Sequence, residues 1–475
     1  MELYEQIVSI VGSKYVSDRA PELFLYSWDF MTTEPPGKPQ LVVMPKDVEE
    51  VQAIVRLANR AGVPVIPYVQ GTSVAGLTNP NEGGIVMDLK RMNKVLEVNE
   101  EDMYAVVEAG ITQAQLKRHL DKNHPSLRFA YTWGPPGAGV LPALLNQGFL
   151  DLSLRYGSAE SMINGLEVVL PTGEVVRIGS CSVSPYWFTR NPLPDLMGLF
   201  IGWQGTTGIV TKAGIKLFTK FPYQEIYCVD SMDVESGFKA QILIAKADIA
   251  DDICSENWAW SKMSSGYKLP FEREEGEPEL YTTVVISANT EKELEAKEEI
   301  LKDICNRVGV RVYKFKEILP TLPKGHQYAD AYVNFPIQIS NDWDGARGGS
   351  LQWVGVYIPN SLLAEAYRRV EKIYQQHGFL MFAYNRMMDH GHSGIIRFST
   401  CAWKKHDERG RKAVRRLMMK VAETLLELGG VIYKPPPWAA RMNLKRADPY
   451  TVELMRRVKK LLDPNRVMNP GKWDL

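Results

Sequence analysis

Ten residues, Pro67 to Gly76, constrain this chain more than any other stretch. The run Pro67-Tyr68-Val69-Gln70-Gly71-Thr72-Ser73-Val74-Ala75-Gly76 follows directly on Val63-Pro64-Val65-Ile66-Pro67, which reads as a short buried strand. Small and hydroxyl-bearing residues in such a loop let consecutive backbone N–H groups converge on one anion. Gly71 and Gly76 permit left-handed backbone or close approach. A plain surface turn is the competing reading of the same residues, because glycine turns are common. What the chain lacks narrows the architecture further: it contains no Gly-x-Gly-x-x-Gly and no Gly-x-x-x-x-Gly-Lys-Ser/Thr. A doubly wound dinucleotide fold and a P-loop nucleotidase both lose their usual phosphate device.

Two further glycine clusters follow, Trp133-Gly134-Pro135-Pro136-Gly137-Ala138-Gly139-Val140 and Gly202-Trp203-Gln204-Gly205-Thr206-Thr207-Gly208-Ile209-Val210-Thr211. Each is flanked by apolar strands or helices. Three loops that can run backbone against one long flat ligand suggest an extended cofactor rather than a mononucleotide; each is also readable as a packing turn.

The 475 residues suffice for two or three domains. Asp47-Val48-Glu49-Glu50 opens a helix with a capping-box pattern, Val48, Val51, Ile54, Val55 and Ala58 form its apolar stripe, and Gly62 ends it. Short strands and helices alternate up to about Pro222. From Tyr223 to Cys401 the pattern changes to strand–helix–strand units: Tyr281–Ser287, Glu291–Asn306 and Val310–Phe315, then Gln352–Ile358, Ser361–Gln376 and Phe379–Asn385, followed by a strand Ile395–Ala402. Such units bury helices on one face of a sheet, so an α+β domain with an antiparallel or mixed sheet is expected. A helix from Asp407 to Leu428 ends at Gly429-Gly430.

Lys+Arg and Asp+Glu both number 56, so no domain-wide positive field is available to neutralise phosphates, and nucleic-acid binding is not the main work. The five cysteines (Cys181, Cys228, Cys254, Cys305, Cys401) lie far apart without a Cys-x-x-Cys pair. That argues against an iron–sulfur or structural zinc site on this chain and suits a reducing compartment. The N-terminal residues lack the basic start and apolar core of a signal peptide. The uncharged stretch Phe129–Leu150 is too rich in proline and glycine for a membrane span. A cytoplasmic protein is expected.

With these residues in view, the chain resembles the FAD-binding oxidoreductases of the vanillyl-alcohol oxidase / p-cresol methylhydroxylase superfamily, and within it the glycolate oxidase and D-lactate dehydrogenase flavoprotein subunits. The segment Pro45–Gly76 carries the resemblance, with Gly83-Gly84-Ile85-Val86-Met87-Asp88-Leu89-Lys90-Arg91-Met92-Asn93, Tyr156-Gly157-Ser158, Gly165–Gly173, Gly198–Phe200, Gly208–Lys212 and the ending Leu462-Asp463-Pro464-Asn465…Asn469-Pro470-Gly471-Lys472. It implies an FAD-binding domain of two subdomains over 1–222, a cap or substrate domain over 223–428 with an α+β fold, and a C-terminal segment, 429–475, returning to the FAD domain. It implies that Pro67, Gln70, Gly71, Thr72, Ser73, Val74 and Gly76 hold the FAD pyrophosphate. Pro135, Gly139, Ser153, Tyr156 and Gly157 would run beside the isoalloxazine and ribityl chain, and Gly208 and Ile209 would touch the adenine or pyrophosphate end.

Departures from the family pattern shape the rest. The first loop has no histidine for covalent flavin attachment. Ser158-Ala159 follow Tyr156-Gly157 where phenol oxidisers place an acid. His390-Gly391-His392-Ser393-Gly394 keeps only part of the hydroxy-acid branch's metal motif, so no metal is expected. Val431-Ile432-Tyr433-Lys434 resembles the Tyr-Arg-Thr of phenol oxidisers, with lysine for arginine. His390 and His392, one residue apart, are candidate bases on one face of a strand, with ordinary loop histidines as the alternative. Arg397 and Tyr433 are candidates for holding an anionic substrate, a cap salt bridge being the other reading for Arg397. Arg409, Arg411, Lys412, Arg415 and Arg416 form either a solvated helix face or a docking patch for an acidic electron acceptor. The expected activity is an FAD-dependent dehydrogenase acting on a small alcohol, a 2-hydroxy acid first. Its electrons would pass to a separate acceptor, an iron–sulfur or other electron-carrier protein subunit or a quinone, in a homo- or hetero-oligomer. Oxidation of a phenolic side chain and a flavin electron-transfer subunit without its own substrate are the alternatives.

Overall fold

A computed structural model describes residues 3–29, 34–73, 75–132, 134–265, 267, 269–318, 352–400 and 407–473. Val74 and Cys401 therefore lie outside the described residues.

Two sheets build the N-terminal half. The first has the order Val16–Ser17, Leu41–Val43, Ile85–Asp88, Val65–Tyr68, with the last three strands parallel. The helix Val48–Ala61 makes the crossover that a parallel pair requires. Its N-terminus is closed from both directions: Glu50 N donates to Asp47 Oδ1 at 2.9 Å, and Lys46 N donates to Glu50 Oε2 at 2.8 Å. Gly62 at φ +64° ends it, and Val51, Ile54, Val55 and Ala58 are buried as the stripe required. The second sheet is antiparallel, ordered Val95–Asn99, Tyr104–Glu108, Ile209–Lys216, Ile163–Val169, Val175–Gly179. One apolar core joins both sheets, with Val65, Ile85 and Met87 of the first packed in the same cluster as Val107, Val168 and Ile209 of the second.

Residues from Tyr223 onward form an eight-stranded sheet in the order Arg311–Lys314, Tyr223–Ser231, Leu280–Ala288, Asp252–Asn257, Phe382–Met388, Ser393–Thr400, Gln352–Ile358, Val431–Ile432. Every neighbouring pair is antiparallel. The pleat divides its side chains cleanly. Tyr227, Val229, Ile253, Val284, Ile286, Val354, Val356, Ile396 and Phe398 belong to one core with the buried faces of helices Val234–Lys246, Glu291–Val308, Leu363–His377 and Glu408–Glu427. The opposite face carries a cross-strand row of Arg311, Asp230, Tyr281, Glu256, Tyr384, Arg397 and Gly355. Tyr433 extends the row, its N–H donating to Gly355 O at 3.3 Å.

Sequence reading missed the first unit of this sheet, strand Tyr223–Ser231, helix Val234–Lys246 and strand Asp252–Asn257. Its strands alternate apolar residues with Cys228, Asp230, Cys254 and Glu256, a pattern that hides a buried strand when the polar face is also covered.

A buried ionic cluster ties the two halves together. Arg386 is 1% exposed; its guanidinium donates to the Leu150 carbonyl and to Tyr384 OH (2.9 Å) and lies 3.3 Å from Asp252 and 3.7 Å from Asp151. The segment after Gly430 first adds Val431–Ile432 to the edge of the large sheet. It then returns to the N-terminal half, where Val65 N donates to Val467 O and Asn469 N to Val65 O.

Candidate active site

A cleft runs between the glycine loops of the N-terminal half and the polar face of the large sheet. It is lined by Pro67, Val69, Thr72 and Ser73 of the first loop and by Gly205, Gly208, Ile209 and Val210 of the third. Gly134, Pro135, Ala138 and Gly139 of the second cluster also line it, with Asn146, Gln204 and Asn469. Phe149, Trp353, Arg397, Tyr433 and Lys434 line its sheet end.

The first loop owes its shape to Gly71. At φ +63°, a Cβ there would stand 2.0 Å from Tyr68 OH, so no other residue fits without displacing the Tyr68 ring. Tyr68 is fixed in turn by packing on Tyr26, whose hydroxyl donates to Asp88 Oδ2 at 2.6 Å.

At the sheet end, the Arg397 guanidinium carbon lies 4.6 Å from the Phe149 ring centroid, 4.9 Å from Tyr384 and 5.4 Å from Trp353. These aromatic faces pack around the planar cation. Trp353 and Tyr433 pack at 5.2 Å between centroids. Burial, partly opposed by the Arg397 charge, pushes the Tyr433 hydroxyl up to about 12, which keeps it a proton donor. Burial and then Arg397 push the Lys434 ammonium down to about 8, with Glu160 acting the other way. Lys434 sits at φ +47°, a backbone conformation a β-strand extension would not give it.

Several residues that line this cleft carry a buried polar atom with no hydrogen-bond partner among the described residues: Thr78 Oγ1, Asn146 Oδ1, Gln204 Oε1, Trp353 Nε1 and Asn469 Oδ1. Burying such atoms unpaired costs roughly 1–3 kcal/mol each, so the cleft fits a ligand carrying both donors and acceptors along its length. FAD answers that description: phosphates for the loop N–H groups, hydroxyls for the amide oxygens, and a flat ring for the aromatic end.

Of the residues expected from sequence, Pro67, Thr72, Ser73, Pro135, Gly139, Gly208, Ile209, Arg397 and Tyr433 line the cleft, whereas Gln70, Gly71 and Gly76 shape the first loop from outside its lining. Ser153, Tyr156 and Gly157 do not line it. Ser153 Oγ accepts from Leu150 N at 2.7 Å, and the Tyr156 ring stacks on Phe218 at 3.8 Å, so both are spent on packing the segment. His390 and His392 are also elsewhere, which corrects the expectation of an inward-facing strand. They occupy the exposed turn Asp389–His392 after strand Phe382–Met388, His390 at φ +50° with Nδ1 3.1 Å from Asp248 Oδ1. No group of three metal-ligating side chains exists among the described residues. In the basic helix, Lys412 pairs with Glu408 at 2.9 Å and Arg415 approaches Glu34 at 3.7 Å, so part of that charge is answered within the chain. No helix among the described residues is long and apolar enough to cross a membrane.

Gln204, Asn469, Phe149 and Trp353 were not expected. Gln204 and Asn469 had a local signal, a glutamine between glycines and the asparagine of the terminal Asn-Pro-Gly-Lys. The two aromatic residues had none.

Residues 39–179 match the FAD binding domain family, and residues 252–473 match the C-terminal domain of FAD linked oxidases. Glycolate oxidase subunit GlcD of Bacillus subtilis (strain 168) is 25% identical, over 99% of this chain and 96% of its own length. A mitochondrial D-lactate dehydrogenase [cytochrome] of Arabidopsis thaliana is 27% identical over 91% of this chain and 73% of its own. Among solved structures, p-cresol methylhydroxylase with substrate bound superposes with a TM-score of 0.87 at 19% identity, covering 100% of this chain and 96% of that one. The 4-ethylphenol oxidase of Gulosibacter chungangensis gives 0.86 at 20% identity over 99% and 96%.

Proposed function

We propose that this chain, which belongs to the FAD-linked oxidoreductases and has the p-cresol methylhydroxylase type of fold, is a dehydrogenase for a small alcohol bearing an anionic group, a 2-hydroxy acid first. Its electrons pass to a separate carrier protein or quinone. Bound FAD supplies the hydride acceptor at flavin N5. Thr72 and Ser73 with the first-loop backbone would hold its phosphates, Gly208–Val210 its adenosine side, and Gly134–Gly139 with Phe149 and Trp353 its ring.

The observation that carries the substrate reading is the clustering of Arg397, Lys434 and the protonated Tyr433 hydroxyl at one end of the cleft. Arg397 binds a carboxylate through its planar fork, and Tyr433 OH donates a further hydrogen bond. Lys434, held down to about 8, has a neutral fraction near physiological pH and accepts the alcohol proton as hydride leaves. Holding donor carbon and acceptor in one orientation is the protein's main kinetic contribution. Anaerobic bleaching of the bound flavin by a panel of 2-hydroxy acids tests this: rapid reduction by one or more is expected. Phenolic substrates are the second reading, favoured by the aromatic walls of Phe149, Trp353 and Tyr433. Bleaching by alkylphenols and by no hydroxy acid would establish it instead. Bleaching by no donor, with reduction by a partner protein, would mark an electron-transfer subunit.

A further inference from the structure

Gln204 and Asn469 each combine three properties. Both are buried, 5% and 1% exposed. Both are non-glycine residues in left-handed backbone, at φ +55° and +40°. Both line the cleft with an amide oxygen that has no protein partner among the described residues. Left-handed backbone is costly for a residue with a Cβ, less so for asparagine than for glutamine, and glycine would adopt it freely. Retaining the side chains means that they are used.

The surrounding bonds fix which atom is available. Asn469 Nδ2 donates to Gln204 O at 2.7 Å and to Leu77 O at 3.2 Å. Gln204 Nε2 donates to Pro435 O at 2.9 Å. Carbonyls only accept, so neither amide can be turned round. Each cleft-lining side chain therefore has its amide nitrogen committed to a carbonyl and only its oxygen, an acceptor, left unpaired. A phosphate cannot satisfy an acceptor, and neither can a flavin carbonyl; hydroxyl or N–H groups, the flavin N3–H among them, are required.

Position selects among those donors. Gln204 is tied to Pro435, beside Tyr433 and Lys434 at the ring end. Asn469 is tied to Leu77, which follows the first loop at the phosphate end. The part of FAD between ring and pyrophosphate is the ribityl chain, a run of successive hydroxyls. We infer that Gln204 Oε1 and Asn469 Oδ1 form a paired acceptor site for ribityl hydroxyls, a deepening that rests on the cofactor reading above. The terminal Asn-Pro-Gly-Lys segment is then part of the cofactor site: Lys472 Nζ also donates to Gly76 O (2.7 Å) and Asn79 O (3.0 Å), securing the end of the first loop.

The test uses the full chain stripped of flavin and titrated, by flavin fluorescence, with FAD and with FAD analogues in which one ribityl hydroxyl is replaced by hydrogen. At least one deoxy analogue should bind about 5- to 100-fold more weakly than FAD, the loss expected when a buried acceptor is left unpaired. In Gln204→Met, which keeps the volume without the amide, the gap between FAD and that analogue should close. The analogue series on unaltered protein stands alone if the variant does not fold. Equal binding of every deoxy analogue and FAD overturns the inference, as does a loss confined to an analogue altered at the adenine amino group. An apoprotein that takes up no FAD overturns the cofactor reading itself, and this inference with it.

Discussion

Gly355 sits in the cross-strand row between Arg397 and Tyr433, and replacing it by alanine tests whether that row sets the substrate end of the cleft. A Cβ there would stand 2.5 Å from Tyr433 Cε1, 2.7 Å from Arg397 Cγ and 3.0 Å from Trp353 Cζ3. Carbon atoms pack at about 3.5–4.0 Å, so both polar side chains must retreat by roughly 1 Å. The strand cannot slide to absorb the methyl, because its ladder to Ser393–Thr400 runs the full length from Gln352 to Ile358. Overpacking of this kind costs about 1–3 kcal/mol of stability. A misplacement of about 1 Å at the substrate costs roughly 10²-fold in reactivity. Stopped-flow reduction of the bound flavin reads the second effect and thermal melting the first. The Gly355→Ala protein should retain its FAD, melt lower, and reduce with an efficiency lower by about two orders of magnitude. Reduction within twofold of the unaltered protein, at an unchanged melting temperature, would refute the assignment of Arg397 and Tyr433 to the substrate.

Other predictions follow from the buried charges. Lys434 and Lys472 are both held down to about 8 by burial, against about 10.4 in the unfolded chain. Between those values the unfolded chain binds more protons, so flavin-free protein should gain stability as pH rises from 8 to 10, by at most about 1.4 kcal/mol per pH unit for each lysine. Lys434→Met should roughly halve that slope, leaving the Lys472 contribution, which chemical denaturation at stepped pH would reveal. Burial pushes the Asp252 carboxyl up to about 7 and Asp151 well above its usual range even with Arg386 beside them. Arg386→Met leaves those carboxylates without their cation and should cost about 3–5 kcal/mol at pH 8. Part should be recovered at pH 5, where the carboxyls are neutral; an equal loss at both pH values would contradict this. His390→Ala and His392→Ala, on an exposed turn, should leave steady-state turnover within twofold.

The first glycine loop was legible because it needs small residues in sequence order behind a strand, and its Thr72 and Ser73 line the cleft. Arg397 and Tyr433 were legible as chemistry-bearing residues beside a strand and a chain return. Their aromatic surroundings were not: Trp353 and Tyr384 meet through strand order and Phe149 reaches them from a loop of the N-terminal half, which no local pattern records. The histidine pair misled because one-residue spacing was read as strand periodicity, whereas positive φ at Asp389 and His390 turns the chain outward there. Tyr156-Gly157 misled differently: the motif is present, but its ring is spent on Phe218.

The substrate assignment requires that a substrate anion meet the flavin at the Arg397 end of the cleft. Titrating the oxidised, FAD-loaded protein with oxalate, a carboxylate that mimics a 2-hydroxy acid and carries no hydride, and following the flavin absorbance, tests this most directly. Saturable perturbation is expected, with affinity falling about 10- to 150-fold in Arg397→Met, as removal of a charge-assisted hydrogen bond implies. Equal perturbation and affinity in both proteins would contradict it.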